Sequence, residues 1–251
     1  MGKISGREEI AMDVEWQKRH GQVISDFLQY LNQKSNEYIL KGETSLMMCY
    51  GLERFSEDID LDCTHSKKIA EIVSDFCGEK GYTFRIAKDT DTVKRYMVDY
   101  GGKKDGNEKK LKIEISYRRK TINENEKTVI NGIHVYTIEA ISIMKANAYS
   151  SRDKIRDLYD VSFIVNHYWD SLSEAAQSLI KSCIEYKGIE QFDYLVNQYD
   201  DDLIDVDKLA EDFLSMYDKL DLLATEEERK IISEYGKETL FLPKSIMLAN
   251  R

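Results

Sequence analysis

The stretch YILKGETSLMMCYGLERFSEDIDLD, residues 38–62, decides the predicted fold. Residues 37–40 have the β-branched and aromatic character of a short strand, and residues 45–50 form an apolar run long enough for two helical turns. Gly51 is expected to end this helix, because glycine adopts the left-handed conformation of a helix end at little cost. Residues 58–62 then alternate between aspartate and aliphatic side chains, as a strand does. The stretch therefore predicts a strand, a helix and a second strand in succession.

The alternation in the second strand predicts a shared acidic face. Asp58, Asp60 and Asp62 point the same way, with Cα atoms of successive members about 6.5–7 Å apart, while Ile59 and Leu61 point into a core. Like charges on one face repel each other, so a positive group is expected between at least two of them. A hard divalent cation with oxygen ligands is the natural candidate. The alternative is a solvated edge strand whose polar face is acidic.

Two segments carry a resemblance to a known family: KGETSL at residues 41–46 and GLERFSEDIDL at residues 51–61. Together they resemble the signature of the AbiEii/AbiGii nucleotidyltransferase toxins, which belong to the DNA polymerase β-like nucleotidyltransferase superfamily. The superfamily pattern is Gly-Gly or Gly-Ser at a helix start, followed by an Asp-x-Asp motif on the next strand. This chain has Glu43 where the second Gly or Ser is usual. An acidic side chain beside phosphates is unfavourable, so we expect Glu43 to point away or the loop to be reshaped.

A third carboxylate is expected on the strand predicted at residues 111–117. Glu114 lies there between apolar residues that look buried, and the resemblance places the third carboxylate of the family on such a strand. The resemblance implies that Asp58 and Asp60 bind two Mg²⁺ ions and that Glu114 completes the metal on the side of the attacking hydroxyl. The alternative is an ordinary strand glutamate paired with Lys112 or Arg118.

The resemblance also assigns the residues around the nucleotide. It implies an NTP substrate, with Gly42 and Thr44 approaching the triphosphate. Ser56 is expected to orient a phosphate or Asp58.

The segment KANAYSSRDKIRDLYD, residues 145–160, resembles the second signature of the family, a lysine-alanine helix followed by Arg-Asp-x-x-Asp. Lys145 and Arg152 are expected to hold phosphates, with Lys145 neutralising charge that develops on the pyrophosphate. Asp160 is expected to be the functional acid, and Asp157 its neighbour, salt-bridged to an arginine. The alternative is that these residues form an ion-pair ladder on a helix surface.

The rest of the chain contributes predicted elements and one acidic turn. Residues 101–110 are interpreted as a charged loop, and residues 200–202 as a solvated acidic turn rather than a second metal site. Thr137 is expected to cap the helix that follows it. Helices are predicted over residues 7–34, 66–81, 138–149, 153–167, 175–186, 189–198, 206–223 and 226–235, and further strands over 82–87, 93–100 and 129–136.

Composition narrows the class of protein. The chain has 251 residues, of which 42% are hydrophobic and 33% charged, typical of a soluble globular protein without a membrane span. Four scattered cysteines without a Cys-x-x-Cys pair favour reduced thiols and a cytoplasmic location, and the scattered histidines do not suggest zinc. The net charge of −10 argues against general affinity for nucleic acid. However, residues 84–156 carry a basic excess that suits a polyphosphate or RNA, or else a mixed-charge surface.

These observations predict an α/β (α+β) fold: a mixed sheet of the minimal nucleotidyltransferase kind flanked by helices, followed by a helical C-terminal region. We expect a nucleotidyltransferase domain with an N-terminal helix at residues 1–136, and a helical region at 137–251 that contributes Lys145 and the acids of the second signature. The resemblance implies a nucleotidyltransferase (EC 2.7.7 type) that moves NMP from an NTP to a hydroxyl acceptor in the presence of Mg²⁺. It implies the toxin of a toxin–antitoxin or abortive-infection system, with a cognate antitoxin and with RNA such as tRNA as acceptor. The alternatives are an enzyme that modifies small molecules such as aminoglycosides, and a catalytically inactive binding module.

Overall fold

The computed structural model describes residues 6–65, 68–104, 107–198 and 201–223, with side chains from residue 15 onward. The chain divides into two compact units, Met1–Ile141 and Ser142–Arg251. The proposed domain boundary between residues 136 and 137 stays a prediction. The predicted helix over residues 226–235 lies outside the described residues.

The first unit contains a mixed seven-stranded sheet within its described residues. The elements are α1 (Gly6–Lys34), β1 (Ile39–Lys41), α2 (Gly42–Cys49), β2 (Asp58–Asp62), α3 (Ile69–Lys80), β3 (Thr83–Asp89), β4 (Val93–Lys104), β5 (Asn107–Ser116), β6 (Lys127–Ile130) and β7 (Ile133–Tyr136). The strand order is β3-β4-β5-β2-β1-β7-β6. Strand β2 pairs parallel with β5 and antiparallel with β1, and β1 pairs parallel with β7. This confirms the predicted fold class.

Helix α1 supplies an apolar face to the core of this unit. Ile24, Phe27, Leu28 and Leu31 recur at helical spacing and are fully buried. The ring of Phe27 meets that of Phe76 on α3 edge to face, with centroids 5.2 Å apart. The two helices therefore cover the sheet together.

The predicted loop at residues 101–110 is wrong. Strand β4 continues through Lys104 and β5 begins at Asn107, with Gly102 opposite Lys109 and Lys104 opposite Asn107. Backbone pairing does not depend on side-chain polarity, so a charged segment can extend a hairpin. Lys104 also packs over the ring of Trp16, 5.4 Å from the centroid, which gives its long side chain a buried position.

The single strand predicted at residues 129–136 is two strands. Ile130 and Ile133 are partners in an antiparallel pair, and Asn131 and Gly132 between them have φ values of 52° and 79°. Two successive residues with positive φ form the turn that the Asn-Gly dipeptide favours. This signal is present in the sequence, and the interpretation as one strand overlooked it.

The second unit is helical in its described residues. Its elements are α4 (Ile138–Ser151, which begins at the end of the first unit), α5 (Ile155–Tyr168), α6 (Glu174–Lys187), α7 (Glu190–Gln198) and α8 (Val206–Lys219). The amide of Ala140 donates to the hydroxyl of Thr137 at 3.3 Å, which confirms the predicted cap. Helix α5 is buried at every residue from Asp157 to Val165 and packs against α7 and α8, so it forms the centre of this unit.

Candidate active site

Strand β2 shows the predicted alternation. Ile59 and Leu61 are fully buried, whereas Asp58 and Asp60 lie partly exposed on the opposite face. The strand runs through the middle of the sheet, between β5 and β1. It is therefore not the acidic edge strand of the alternative interpretation.

The register of the sheet brings Glu114 beside Asp60. In the parallel pair of β2 and β5, Asp60 lies opposite Glu114 and Asp58 lies opposite Lys112. Residues opposite each other on adjacent strands share a face, and adjacent strands are about 4.8 Å apart. Asp58, Asp60 and Glu114 are therefore neighbours on one face of the sheet, as the sequence predicted.

Helix α2 begins directly against Asp60. Gly42, its first residue, follows β1 and has a φ of +75°. A Cβ atom at this position would lie 3.4 Å from Oδ2 of Asp60. Glycine therefore allows both the backbone conformation and the close approach of the helix N-terminus to the acid.

Two of the three carboxylates form ion pairs with basic side chains of the same face. Nζ of Lys112 lies 2.5 Å from Oδ2 of Asp58. Nε of Arg95 donates to Oε2 of Glu114 at 2.7 Å. The structure therefore gives Glu114 an arginine partner on β4, in place of the Lys112 or Arg118 considered from the sequence.

Asp60 has no hydrogen-bond or ion-pair partner within the described part of the chain. Burial raises the pKa of its carboxyl group, and the negative charges of Asp58 and Glu114 act in the same direction, against the opposing effects of Lys112 and Lys41. Asp60 is thus the one of the three carboxylates on this face that has no ion-pair partner in the described part of the chain.

Asp62 belongs to a different set of contacts. It pairs with Lys41, and the hydroxyl of Tyr136 donates to its Oδ2 at 3.0 Å. Its side chain is 3% exposed. These partners satisfy Asp62 within the protein, which agrees with leaving it out of the predicted metal ligands.

The hydroxyls of Thr44 and Ser56 are tied to the backbone of β2. The Thr44 hydroxyl donates to the carbonyl of Asp58. Its oxygen lies 2.7 Å from Oγ of Ser56, whose hydroxyl is left to donate the proton of that bond. Both side chains are buried. Thr44 and Ser56 therefore hold the start of β2 against α2, and their expected contacts with phosphate stay a prediction.

Glu43 is compensated by a buried arginine. Nη1 of Arg54 donates to Oε2 of Glu43 at 3.0 Å, and the side chain of Arg54 is 0% exposed. The positive charge offsets the acidic side chain that replaces the usual second Gly or Ser. The departure from the superfamily pattern is thus accommodated by a partner eleven residues further along the chain.

In the second unit, the residues of the second signature form a buried cluster. Lys145 on α4 contacts Asp160, and its Nζ lies 3.9 Å from Oδ1 of Asp157. Both aspartates on α5 are 0% exposed, and Lys145 is 6% exposed. The cluster is therefore not the ladder on a helix surface of the alternative interpretation.

Arg152 fixes the second aspartate of this cluster. Its Nε and Nη2 donate to the two oxygens of Asp157 at 2.6 and 2.9 Å. Such a paired geometry holds both planar groups in place. Asp157 therefore has the arginine partner expected from the sequence. The role of Arg152 in holding phosphate stays a prediction.

The acidic turn after α7 is more than a solvated loop. Arg156 donates from Nε and Nη2 to the two oxygens of Asp201, at 2.5 and 3.0 Å. Residue 200 lies outside the described residues. Asp201 thus attaches the turn to α5.

Comparisons with known proteins show the family of this chain. The family model described as "Nucleotidyl transferase AbiEii toxin, Type IV TA system" matches residues 26–239. The chain belongs to this family. Membership in the AbiEii family implies an NTP substrate and an antitoxin partner.

Two solved structures from Helicobacter pylori resemble this AbiEii member over nearly its whole length. The protein JHP933 is 29% identical, with a TM-score of 0.67, and the match covers 94% of this chain and 97% of that one. A protein proposed to be a nucleotidyltransferase is also 29% identical, with a TM-score of 0.65, and the match covers 89% and 97% of the two chains. No curated protein matches.

The donor chemistry of the acid face suits Mg²⁺. No group of three or more His, Cys, Asp or Glu residues in the described ranges is arranged to hold a metal ion. Asp58, Asp60 and Glu114 nevertheless offer carboxylate oxygens, which Mg²⁺ prefers, at adjacent positions of the sheet. Lys112 contacts one oxygen of Asp58 and Arg95 contacts one oxygen of Glu114, so these basic side chains compete with a cation for the two carboxylates. The residues therefore fit Mg²⁺ in the type of donor atom that they offer on one face of the sheet.

The sequence did not predict the contact of Arg95 with Glu114. It considered Lys112 only as a partner of Glu114 and not of Asp58. Lys112 stands two residues before Glu114, and this spacing places both on one face of β5. Arg95 carries no local signal of this kind, because its contact with Glu114 depends on the register between β4 and β5.

No helix in the described part of this AbiEii chain has both the length and the apolar character needed to cross a membrane.

Proposed function

We propose that this chain is an Mg²⁺-dependent enzyme that transfers a nucleoside monophosphate from an NTP to a hydroxyl acceptor (EC 2.7.7 type). The main supporting observation is the register that sets Asp60 beside Glu114, next to the glycine at the N-terminus of α2. A helix N-terminus favours phosphate groups, and adjacent carboxylates favour divalent cations. The two features together suit a metal-bound triphosphate.

In this proposal, Asp58 and Asp60 hold both metal ions and Glu114 completes the coordination on the acceptor side. Bound Mg²⁺ would lower the pKa of the acceptor hydroxyl and compensate the charge of the triphosphate. Gly42 leaves room for a phosphate at the start of α2. Thr44 and Ser56 keep the backbone at Asp58 in place.

Lys145 is assigned the role of neutralising charge on the departing pyrophosphate. Asp160 orients the ammonium group of Lys145, and the pair formed by Arg152 and Asp157 supports that arrangement. This assignment rests on the family resemblance and on the buried cluster within the second unit.

The biological role proposed is that of the toxin of a type IV toxin–antitoxin system that acts in abortive infection. The proposed acceptor is RNA, such as the end of a tRNA, and the proposed location is the cytoplasm. Membership in a family of type IV toxins supports this role. The excess of basic residues over 84–156 suits an RNA acceptor.

The double variant Asp58→Asn/Asp60→Asn tests the enzymatic proposal. It should abolish transfer of label from NTP and also growth inhibition on expression. Asp26→Asn, which removes a carboxylate paired with Lys80 on the surface, should retain both properties. Full toxicity of the double variant would contradict the proposal.

The destination of the label distinguishes the acceptors. Incubation of the protein with labelled NTPs, total tRNA and a panel of aminoglycosides should leave the label on RNA. Label on a drug would instead favour the small-molecule enzyme. An inactive binding module would show no Mg²⁺-dependent rise in melting temperature with NTP, because such stabilisation reports binding to the native state.

A further inference from the structure

Two basic side chains occupy the acid face of the sheet. Lys112 lies opposite Asp58 in the register and forms an ion pair with it at 2.5 Å. Arg95 lies opposite Glu114 and approaches Oε2 with Nη2 at 2.6 Å and with Nε at 2.7 Å. Each cation thus contacts one of the carboxylates proposed to bind metal.

This arrangement stabilises the acid face without a metal ion. Three adjacent carboxylates would repel one another, and the two ion pairs compensate two of the three charges. Asp60, between them, is left without a hydrogen-bond or ion-pair partner in the described part of the chain. A divalent cation that enters this face therefore competes with two existing ion pairs for the negative charge of the carboxylates.

We propose that Lys112 and Arg95 are internal counter-ions that compete with the divalent cation for Asp58 and Glu114. The inference rests on the proposed function. Metal binding by the free protein is weak, because it leaves the two cations without partners. An NTP removes this penalty, because its phosphates accept both cations when the metal takes the carboxylates. The metal and the nucleotide therefore bind as a cooperative pair.

The two side chains can make this exchange because both are partly exposed. Arg95 is 39% exposed and Lys112 is 28% exposed. Lys80 provides the contrast, since its partner is Asp26 on α1 and not one of the proposed metal ligands. A purely static role, in which the pairs only stiffen the sheet, predicts no gain in metal affinity when either cation is removed.

The test measures binding of Mn²⁺ by electron paramagnetic resonance to the full chain, with and without a non-hydrolysable NTP analogue. Lys112→Gln and Arg95→Gln should each bind Mn²⁺ alone about two- to fivefold more tightly than the wild type, the range set by the free energy of partly exposed ion pairs. The increase in Mn²⁺ affinity caused by the analogue should shrink in both variants. Arg95→Lys keeps the charge and should behave like the wild type, as should Lys80→Gln, which removes a cation paired with Asp26.

Three outcomes would overturn the inference. The first is unchanged or weaker binding of Mn²⁺ alone by both glutamine variants, while the wild type binds Mn²⁺ with the analogue; this leaves the proposed function standing. The second is an equal gain in Lys80→Gln, which would show a general effect of charge. The third is a folded wild type that does not bind Mn²⁺ even with the analogue, which would overturn the proposed function as well. Melting curves establish that each variant is folded. Because Arg95 and Lys112 are changed separately, each variant tests the inference independently.

Discussion

Asp60 lies directly opposite Glu114 in the parallel pair of β2 and β5, two residues that are far apart in the chain. The same Asp60 lies opposite Lys41, the last residue before α2. One residue thus joins the acid face of the sheet to the N-terminus of a helix. This junction is what makes a metal-bound triphosphate the best candidate ligand.

Replacement of Asp60 by asparagine should separate activity from stability. Loss of this carboxylate should lower transfer activity at least about 100-fold, because it removes a proposed metal ligand. The melting temperature at pH 7 should stay the same or rise. The raised pKa of Asp60 means that its charged form is less favourable in the folded than in the unfolded protein, so ionisation lowers stability once the pH exceeds the unfolded pKa.

The comparison of melting temperatures at pH 4 and pH 8 checks this prediction. The advantage of Asp60→Asn over the wild type should be larger at pH 8, because the cost of ionising Asp60 develops as the pH rises from its unfolded pKa of about 3.9. A variant that melts well below the wild type at pH 8 would contradict the assignment of Asp60 as an uncompensated buried charge.

Gly42→Ala should weaken nucleotide binding by more than the strain of a positive φ at an alanine can explain. An L-residue at a φ of +75° costs about 1–2 kcal/mol, and the added Cβ would also contact Oδ2 of Asp60 at 3.4 Å. Gly51→Ala is the matched control, because Gly51 has a φ of +80° and no atom within 4 Å of the added Cβ. Both variants should lose similar stability in urea unfolding. Equal loss of Mg²⁺–NTP binding in the two would refute a special role for the space at Gly42.

Arg152→Met should destabilise the second unit through Asp157. The variant leaves a fully buried carboxylate without its bidentate partner, which should cost about 1–3 kcal/mol; the value is reduced because the side chain of Arg152 is 48% exposed. Urea unfolding measures the loss. The double variant Arg152→Met/Asp157→Asn should lose less than the sum of the two single variants, and additive losses would show that the pair is not coupled.

His20 should make the stability of the first unit sensitive to acid. Its Nδ1 lies 2.5 Å from the hydroxyl of Tyr100 and its Nε2 2.7 Å from the carbonyl of Glu57, a geometry that suits the neutral ring. Burial lowers the pKa of His20, against the raising effects of Glu57 and Asp58. The stabilising contribution is therefore present above the unfolded pKa of about 6.5 and is lost as the pH falls towards the folded pKa.

Unfolding free energies measured between pH 7.5 and pH 5 test this dependence. The wild type should lose stability over this interval, and His20→Gln should show a flatter profile. His167→Gln is the control at an exposed histidine and should keep the slope of the wild type. Identical slopes for His20→Gln and the wild type would rule out the buried neutral imidazole as the cause.

The sequence predicted most of the first unit because its signals are short-range. The alternation of Asp58, Ile59 and Asp60 and the apolar spacing of α1 each depend on a few neighbouring residues. The prediction of a loop at residues 101–110 was wrong for the opposite reason. The charged composition suggested a loop, whereas backbone pairing between β4 and β5 extends both strands into this segment. The turn at Asn131-Gly132 was readable locally and was overlooked.

The sequence by itself determined that the acidic strand β2 follows a strand and a helix that begins at a glycine. It also determined that a lysine and two aspartates lie on predicted helices later in the chain. The tertiary structure alone decided which charges meet: Arg95 with Glu114, Arg54 with Glu43, and Arg156 with Asp201. Periodicity places a side chain on a face of its own element, through steric rules that act over a few residues. The choice of ion-pair partner depends on strand register and helix packing, which are set by the burial of the whole apolar core.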